Sequence, residues 1–412
     1  MTGRQAGVAE VPPGYKRTEV GVIPDDWEVM MLPETCWFQE GPGLRQWQFT
    51  TSGMKVINVT NLENGVLNLD RTDRHIALSE FSRLYQHFAI DAGDMVMASS
   101  GNSYGKTAIV RDLDLPLMMN TSVIRMKPIG KTVYGFLWAF LNSSLFKDQI
   151  NLMITGGAQP NFGPYHLKRV YLPFPPPREQ HAIAAALSDV DGLIGALDAL
   201  IEKKRAIKQA AMQQLLTGKT RLPGFSGDWD TTRIDEHTRI QTGGKNTQDR
   251  TEDGKYPFFV RSQEIERINS YTYDCEAVLT AGDGVGTGKV FHYINGRFDV
   301  HQRVYVIHDF SQHLHGRYFF YQFSSRFYDR IMSMTAKSSV DSVRMEMIAG
   351  MQIPLPSYRE QRAIATVLSD MDAELAALER RREKVEQIKQ GMMQQLLTGR
   401  IRLPSAGGVS AQ

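Results

Sequence analysis

The sequence is poor in cysteine and lacks long apolar runs. Cys36 and Cys275 are the two cysteines of the 412 residues, which argues against a disulfide framework and fits a reducing compartment. No stretch approaches the roughly 18 consecutive apolar residues of a membrane-spanning helix, and the first residues lack the apolar segment of a signal peptide. We therefore expect a cytoplasmic protein with no membrane partner.

The chain also carries little excess charge. Its 47 lysines and arginines nearly balance 45 aspartates and glutamates, for a formal net charge of +2. A protein that binds nucleic acid by itself is often far more basic. If this chain contacts DNA, its basic residues are concentrated on one surface, or a partner supplies much of the positive charge.

Signatures of catalysis are missing as well. GNSYGKT (101–107) and GDGVGTGKV (282–290) resemble phosphate loops, but each departs from the pattern at essential positions. We interpret both as turns between strands. His313 and His315 lie near each other without a cysteine or acidic cluster that would complete a metal site. The sequence thus predicts a protein that is not an enzyme and holds no metal or cofactor.

What is present is a long internal repeat. REQHAIAAALSDVD begins at Arg178 and REQRAIATVLSDMD at Arg359, and MQQLLTG follows at the same spacing from Met212 and from Met393. The apolar positions of both copies step by four and three residues, which is typical of a coiled-coil seam. They are Ile183, Leu187, Val190, Ile194, Leu197 and Ile201 in the first copy, and Ile364, Leu368, Met371, Leu375 and Leu378, then Val385, Ile388, Met392 and Leu396, in the second.

Each copy predicts a helix of about 40 residues, roughly 60 Å long. Such a helix needs a partner along its length, and we expect the two copies to pair antiparallel. The alternative is that each helix packs only on its own globular domain. Turn-rich, strand-like segments surround the helices. The expected order is an N-terminal globular domain (1–176), a first helix (177–217), a second globular domain (218–357), a second helix (358–399) and a C-terminal tail (400–412).

This combination resembles the specificity subunits of type I restriction–modification systems. The markers are the Ile-Pro-x-x-Trp segment at Ile23–Trp27, the proline-rich junctions that end in Arg-Glu-Gln at Gln180 and Gln361, and Gln-Gln-Leu-Leu-Thr-Gly at both helix ends. The resemblance covers nearly the whole chain. It implies an α+β fold, in which two mixed α/β target-recognition domains are separated by two long antiparallel coiled-coil helices with pseudo-twofold symmetry.

The resemblance also implies a function. Such subunits catalyse nothing: each recognition domain reads one half of a bipartite site in double-stranded DNA, and the helices set the spacer. Two modification subunits, which carry S-adenosylmethionine, and restriction subunits are the implied partners. The globular domains differ from one another, which favours an asymmetric site. Two alternatives stay open: a specificity subunit of a combined restriction–methylation enzyme of another type, and a structural coiled-coil adaptor that does not bind DNA.

Polar loops supply the candidate DNA contacts, because amide and basic side chains read base edges and hold phosphates. For any single loop, the alternative is an ordinary solvated turn. The candidates are Arg45, Gln46, Asn102, Lys106, Gln159 and Asn161 in the first domain, and Lys245, Asn246, Gln248, Lys289, Lys337 and Ser339 in the second.

The helix ends supply candidate contacts for the modification subunits, since methionine-rich surfaces are pliable. Packing in the core is the alternative role. These candidates are Met212, Leu215, Leu216, Met392, Met393, Leu396 and Leu397.

Overall fold

A computed structural model describes residues 11–63, 65–154, 161–334 and 342–403. The chain divides into two compact units. Unit 1 comprises Met1–Ala196 and Arg382–Gln412, and unit 2 comprises Leu197–Arg381. Both units mix helices and sheets, as expected. Among the described residues, no helix combines the length and apolar character that crossing a membrane requires.

Unit 1 is built on short strands. They are β1 (Tyr15–Thr18), β2 (Gly21–Pro24), β3 (Glu28–Met31), β4 (Cys36–Glu40), β5 (Phe49–Thr50), β6 (Met54–Ile57), β7 (Leu62–Glu63), β8 (Val66–Leu67), β9 (His75–Ile76), β10 (Ala89–Ile90), β11 (Met95–Ala98), β12 (Thr107–Ile109), β13 (Leu117–Met119), β14 (Val123–Pro128) and β15 (Tyr171–Phe174). Two larger sheets have the orders β10-β13-β6-β9-β5 and β12-β11-β14-β4. All four residues of β11 are buried, so both faces of this strand are covered.

The helices of unit 1 include α1 (Leu32–Thr35), α2 (Leu78–Glu80), α3 (Tyr134–Asn142), α4 (Ser144–Met153), α5 (Pro164–Leu167), the first part of α6 (Pro177–Leu215) and the last part of α9 (Tyr358–Leu396). Of these, α1 and α5 contact β4 and α3 contacts β14, so they pack on the second of these sheets. The main core joins Trp27, residues of β11 and β14, Phe136 and Phe140 of α3, and Ile183 of α6.

Unit 2 has a single large sheet. Its strands are β16 (Asp230–Arg233), β17 (Arg239–Thr242), β18 (Tyr256–Phe259), β19 (Ile265–Ile268), β20 (Tyr273–Ala281), β21 (Phe291–Val300), β22 (Val304–His308) and β23 (Gln352–Leu355), and its helices are α7 (Gly316–Ser333), α8 (Met345–Ala349) and part of α9 (Tyr358–Leu396). The sheet order is β17-β22-β20-β21-β18-β19. Phe319, Phe323 and Phe327 recur every four residues, so one face of α7 carries stacked, buried rings.

The long helices α6 and α9 have 39 residues each. They begin at the positions expected from the sequence and end two and three residues earlier. Gly218 and Gly399 follow the helix ends with φ of 71° and 67°, a conformation that glycine adopts without steric cost. Most seam residues are buried in one unit or the other, but Ile388 is 49% exposed, so the expected apolar stripe is interrupted there.

The repeated glutamates fasten the start of each long helix to its unit. In unit 1, Glu179 accepts hydrogen bonds from Trp27 Nε1 at 3.0 Å and from Arg402 Nε at 2.6 Å. In unit 2, Glu360 accepts from Trp229 Nε1 at 3.2 Å and from Arg221 Nε at 2.6 Å. The two glutamates and the two arginines are repeat equivalents, so the same set of hydrogen bonds anchors the start of each long helix.

The repeated glutamines are buried structural residues. Gln180 Oε1 accepts from Val133 N at 2.8 Å, and its Nε2 donates to Pro175 O at 2.9 Å. Gln361 Oε1 accepts from His315 N at 2.9 Å, while its Nε2 donates to two backbone carbonyls. Each glutamine thereby fixes the segment that begins the aromatic helix of its unit, which explains why Glu-Gln recurs at the helix start.

Candidate nucleic-acid interface

In unit 1, several polar loops contact one another through backbone hydrogen bonds. Gly41 N donates to Val123 O at 3.0 Å, Ser99 N to Ser122 O at 2.8 Å, and Phe162 N to Ser99 O at 3.0 Å. A bridge pairs Ser100 with Asn161. We call residues 41–48, 99–106, 120–122 and 161–163 loop cluster 1.

Unit 2 contains a second set of loops joined in the same manner. Lys245 N donates to Val300 O at 3.2 Å, Gly282 N to Arg303 O at 2.8 Å, and Val343 N to Gly282 O at 2.7 Å. A bridge pairs Asp283 with Ser342. We call residues 243–250, 261–264, 282–289, 301–303 and 342–343 loop cluster 2.

The two clusters share a backbone plan. Gly41 packs against the Asn120 carbonyl and Gly243 against the Val300 carbonyl so closely that a Cβ atom would lie 2.1 Å from each oxygen. The Ser100–Asn161 and Asp283–Ser342 bridges are both antiparallel and join corresponding loops. The side chains at this shared framework nevertheless differ.

The structure places the candidate residues of loop cluster 1 on the surface. Arg45, Gln46, Asn102, Lys106 and Asn161 are exposed, and the Ser100–Asn161 bridge brings the Asn102 and Asn161 loops together. Gln159 lies outside the described residues.

The turn that carries Arg45 and Gln46 is held in place by its neighbour Gln48. The buried Gln48 side chain donates hydrogen bonds to Glu80 Oε1 and Tyr85 Oη, at 2.6 and 3.0 Å. This anchoring leaves Trp47 80% exposed beside the two candidates. Trp47 was not among the predicted contacts, although a tryptophan within a polar turn is itself a signal.

One acidic side chain also belongs near loop cluster 1. Glu40 Oε2 lies close to Gly163, and burial raises the pKa of the Glu40 carboxyl above its usual value. A carboxylate can accept a hydrogen bond from the amino group of cytosine, so it adds an acceptor to a region that otherwise offers amides and cations.

The candidates of loop cluster 2 fall into two classes. Asn246, Gln248 and Lys289 are exposed. Lys245 is half-buried, and its Nζ lies 3.8 Å from Oδ2 of the buried Asp299, so part of its charge is balanced within the unit. Lys337 and Ser339 lie outside the described residues.

Two arginines of loop cluster 2 were missed by the sequence reasoning. Arg261 Nη1 lies 2.8 Å from Asp283 Oδ1, and Arg303 Nη1 lies 3.4 Å from Asp283 Oδ2. Both guanidinium groups stay about half exposed or more. A neighbouring histidine is affected too: burial is the main cause that lowers the pKa of His301 below its usual value, and the positive charge of Arg261 is the next cause. The available signal was their position at strand ends: Arg261 directly follows the apolar run FFV (258–260), and Arg303 lies in the short turn between the strands that end at Val300 and begin at Val304.

Most of the candidate partner contacts lie in cores. Leu215 and Leu216 are buried in unit 2, Met393, Leu396 and Leu397 are buried in unit 1, and Met212 and Met392 are partly buried. These positions favour the alternative role, core packing. Contact with modification subunits stays a prediction.

The chemistry of both clusters suits recognition more than catalysis. Guanidinium, ammonium and amide groups converge with backbone N–H groups, which is the donor set that binds phosphates and base edges. Within the described part of the chain, no group of three or more His, Cys, Asp and Glu side chains is arranged to hold a metal ion.

Comparison with known proteins gives a consistent result. The family model described as "Type I restriction modification DNA specificity domain" matches residues 24–205 and 226–387. The MjaVIII specificity subunit of Methanocaldococcus jannaschii is 29% identical over 216 residues, covering 52% of this chain and 50% of that protein. The EcoDI specificity subunit of Escherichia coli is 31% identical over 171 residues, covering 42% of this chain and 37% of that protein. The matched segments therefore span half or less of these two relatives.

Longer matches have lower identity. The putative MjaX specificity subunit of M. jannaschii is 21% identical over 420 residues and covers 94% of this chain and 97% of that protein. The S subunit of a type I restriction–modification system from M. genitalium has a similar fold, with a TM-score of 0.60, 16% identity, and coverage of 90% of this chain and 96% of that one.

A chain from a structure that concerns assembly of the type I R-M system is also similar, with a TM-score of 0.52, 15% identity, and coverage of 92% and 99%. The family model matches most of the chain in two successive copies, and the relatives carry the same description. The chain therefore belongs to the family of type I restriction–modification DNA specificity subunits.

Proposed function

We propose that the chain is the non-catalytic DNA-recognition subunit of a type I restriction–modification complex, and that each loop cluster reads one half of a bipartite, asymmetric site in double-stranded DNA. The observation that carries this proposal is the shared backbone plan of the two clusters with unlike side chains. Thr121 and Ser122 of loop cluster 1 correspond in the repeat to the exposed Gln302 and Arg303 of loop cluster 2. Two similar scaffolds with different surface chemistry suit two different half-sites.

Recognition would divide between bases and phosphates. Asn102 and Asn161 are suited to adenine, because an amide can bond bidentately to adenine N6 and N7. Arg261 and Arg303 are suited to guanine or to phosphate oxygens. Asp283 lies between these two arginines and orients both guanidinium groups before DNA binds. This pairing reduces the ordering that binding would otherwise require.

The long helices would form the antiparallel, pseudo-twofold pair that sets the spacer between half-sites. The support comes from an ion pair that occurs once in each unit. Lys389 Nζ lies 2.6 Å from Asp191 Oδ1 in unit 1, and Lys208 pairs with Asp372 in unit 2. The two lysines are repeat equivalents, and so are the two aspartates. In each unit a lysine late in one helix meets an aspartate early in the other, as an antiparallel pair requires.

The partners follow from the same proposal. Two modification subunits would dock on the chain and carry S-adenosylmethionine, and restriction subunits would complete the nuclease. The near-neutral net charge of +2 favours such an assembly, because counterion release from DNA requires many cationic contacts and partners would contribute their share.

A domain exchange tests the proposal. Residues 222–352 are replaced by the corresponding segment of another specificity subunit, and methylated adenines are mapped across the host genome with and without the exchanged chain. The expected result is a change in one half of the methylated sequence while the other half is retained. An unchanged target would refute the assignment of loop cluster 2.

A second experiment tests the non-catalytic assignment. The purified chain is incubated with DNA and S-adenosylmethionine, with and without the cognate modification subunit. Methyl transfer is expected only with the partner. Methylation by the chain alone would place catalysis within it.

A further inference from the structure

Unit 1 contains a cavity that none of the candidate DNA contacts lines, although Met393, a candidate contact for the modification subunits, does. Its volume is about 330 Å³, and residues of α3, α6 and α9 line it. Trp138, Ala139 and Leu187 supply apolar walls, while Asp191 and Lys389 supply a polar one. This combination of an apolar lining with few polar groups is characteristic of small-ligand sites, which begin at about 300 Å³.

The internal repeat places a larger side chain at one of the lining positions in unit 2. Phe320 stands at the repeat position of Ala139, and its ring packs 5.3 Å from the ring of Tyr321 and 6.1 Å from that of Tyr293, measured between centroids. The change from phenylalanine to alanine removes an aromatic ring from α3. Unit 1 therefore has space where unit 2 has a side chain.

The polar wall differs between the units in a matching way. In unit 2, Tyr321 Oη donates to Asp372 Oδ2 at 2.6 Å, and Lys208 binds the other oxygen of that carboxylate. In unit 1, Lys389 pairs with Asp191 Oδ1, but Phe140 stands at the repeat position of Tyr321 and has no hydroxyl group. The Asp191 side chain is 42% exposed, so its second oxygen is accessible as an acceptor. The cavity thus offers both an empty apolar volume and a carboxylate acceptor.

We propose that this cavity binds a single aromatic ring that carries a hydroxyl or N–H donor, a ligand of the phenol or indole class. The ring takes the volume that Phe320 occupies in unit 2, next to the Trp138 indole, where offset or edge-to-face contacts are favourable. Its donor bonds to Asp191 Oδ2, as the Tyr321 hydroxyl does to Asp372. A free small molecule and an aromatic side chain of a docked protein share this chemistry. The site does not depend on DNA recognition.

Phenol is the probe for the test, with toluene as the probe of similar shape that lacks a donor. Binding to the purified full-length chain is measured by ligand-observed NMR titration. Phenol is expected to bind about fivefold more tightly than toluene, the factor for one net hydrogen bond. Failure of phenol to bind, or equal binding of both probes, would overturn the proposal.

Three substitutions separate the contributions of volume and acceptor. Ala139→Phe fills the space as Phe320 does in unit 2 and should abolish binding of both probes. Phe140→Tyr should leave toluene binding in place and remove the preference for phenol, because the new hydroxyl occupies Asp191. Phe320→Ala should create a second site that shows no preference for phenol, since Tyr321 already occupies Asp372. Unchanged phenol binding by Ala139→Phe would overturn the assignment.

Three further measurements complete the test. Thermal unfolding shows whether Ala139→Phe is folded, and Ala139→Leu replaces it if it is not, with the same expected loss of binding. Added modification subunit identifies the source of the ring. Exclusion of phenol on complex formation assigns the ring to a docked protein, whereas unchanged phenol binding in the complex assigns it to a free small molecule. DNA binding, measured in parallel, tests the proposed function separately.

Discussion

Replacing Gln361 by methionine tests whether the repeated glutamines hold the aromatic helices in place. The Gln361 side chain is fully buried. It accepts a hydrogen bond from His315 N at 2.9 Å and donates to His313 O at 2.9 Å and Pro356 O at 2.8 Å. Methionine has a similar length and no amide, so the volume is retained while three backbone groups lose their partner.

The expected loss of stability depends on the number of buried polar groups that are left without a hydrogen-bond partner. Each buried polar group that is left without a partner costs about 1–3 kcal/mol. Three such groups predict a loss of about 3–5 kcal/mol for Gln361→Met, allowing for some relaxation of the carbonyls. Gln180 is equally buried but serves two backbone groups, Val133 N and Pro175 O. Gln180→Met should therefore lose about 2–3 kcal/mol.

Urea unfolding followed by circular dichroism measures both free energies, and the slope of the transition reports any change in exposed surface. Gln390 is exposed on α9 and its side chain donates to the half-buried Glu386, so Gln390→Met is the control, with a change within about 0.5 kcal/mol. A smaller loss for Gln361→Met than for Gln180→Met would refute the reasoning, and so would a loss near that of the control.

Three further predictions concern unit 2. Gly243→Ala should weaken specific DNA binding at least about tenfold, because its Cβ would lie 2.1 Å from Val300 O, whereas Gly244→Ala, with no atom within 4 Å, should bind normally in a fluorescence-anisotropy titration. Arg303→Ala should reduce the magnitude of the slope of log K, the DNA-binding constant, against log salt concentration by about 0.9, as expected for a side chain that holds one phosphate. The control Arg233→Ala, which also removes an arginine paired with an aspartate, should leave the slope unchanged. Burial lowers the pKa of His292 below its usual 6.5, so the unfolded chain binds a proton more readily than the folded chain, and stability should fall as the pH drops below about 6.5. The His292→Gln variant should lose less stability over this pH range in thermal unfolding, and a loss as steep as that of the unchanged chain would contradict the prediction.

The sequence predicted the long helices well because their information is local. Proline at the start, apolar residues every three or four positions and glycine at the end are each readable from neighbours along the chain. Ile388 shows the limit of such reasoning. Its spacing fits the apolar stripe, yet it is 49% exposed, because exposure depends on what packs against the helix at that level.

The loop clusters were harder to predict because they are defined by contacts between distant segments. Arg261 and Arg303 meet at Asp283 although each lies about 20 residues from it in sequence, and no periodic pattern marks either arginine. Asn102 and Asn161 were each predicted from their own loop. Their proximity follows from the Ser100–Asn161 bridge, which the sequence did not indicate.

The close glycine contacts explain how two divergent surfaces can keep one backbone plan. At Gly41 and Gly243, a side chain would collide with the backbone carbonyl of a neighbouring loop, and no substitution of that neighbour's side chain would relieve the collision. Each glycine therefore fixes the separation of two loops by main-chain contact alone. Exposed side chains on those loops, such as Thr121 or Gln302, are then free to differ without moving the framework. A protein that must read a new DNA sequence while keeping its fold needs this separation of roles, and exchange of Thr121 or Gln302, which are exposed, should alter base preference at loop positions that stay in place.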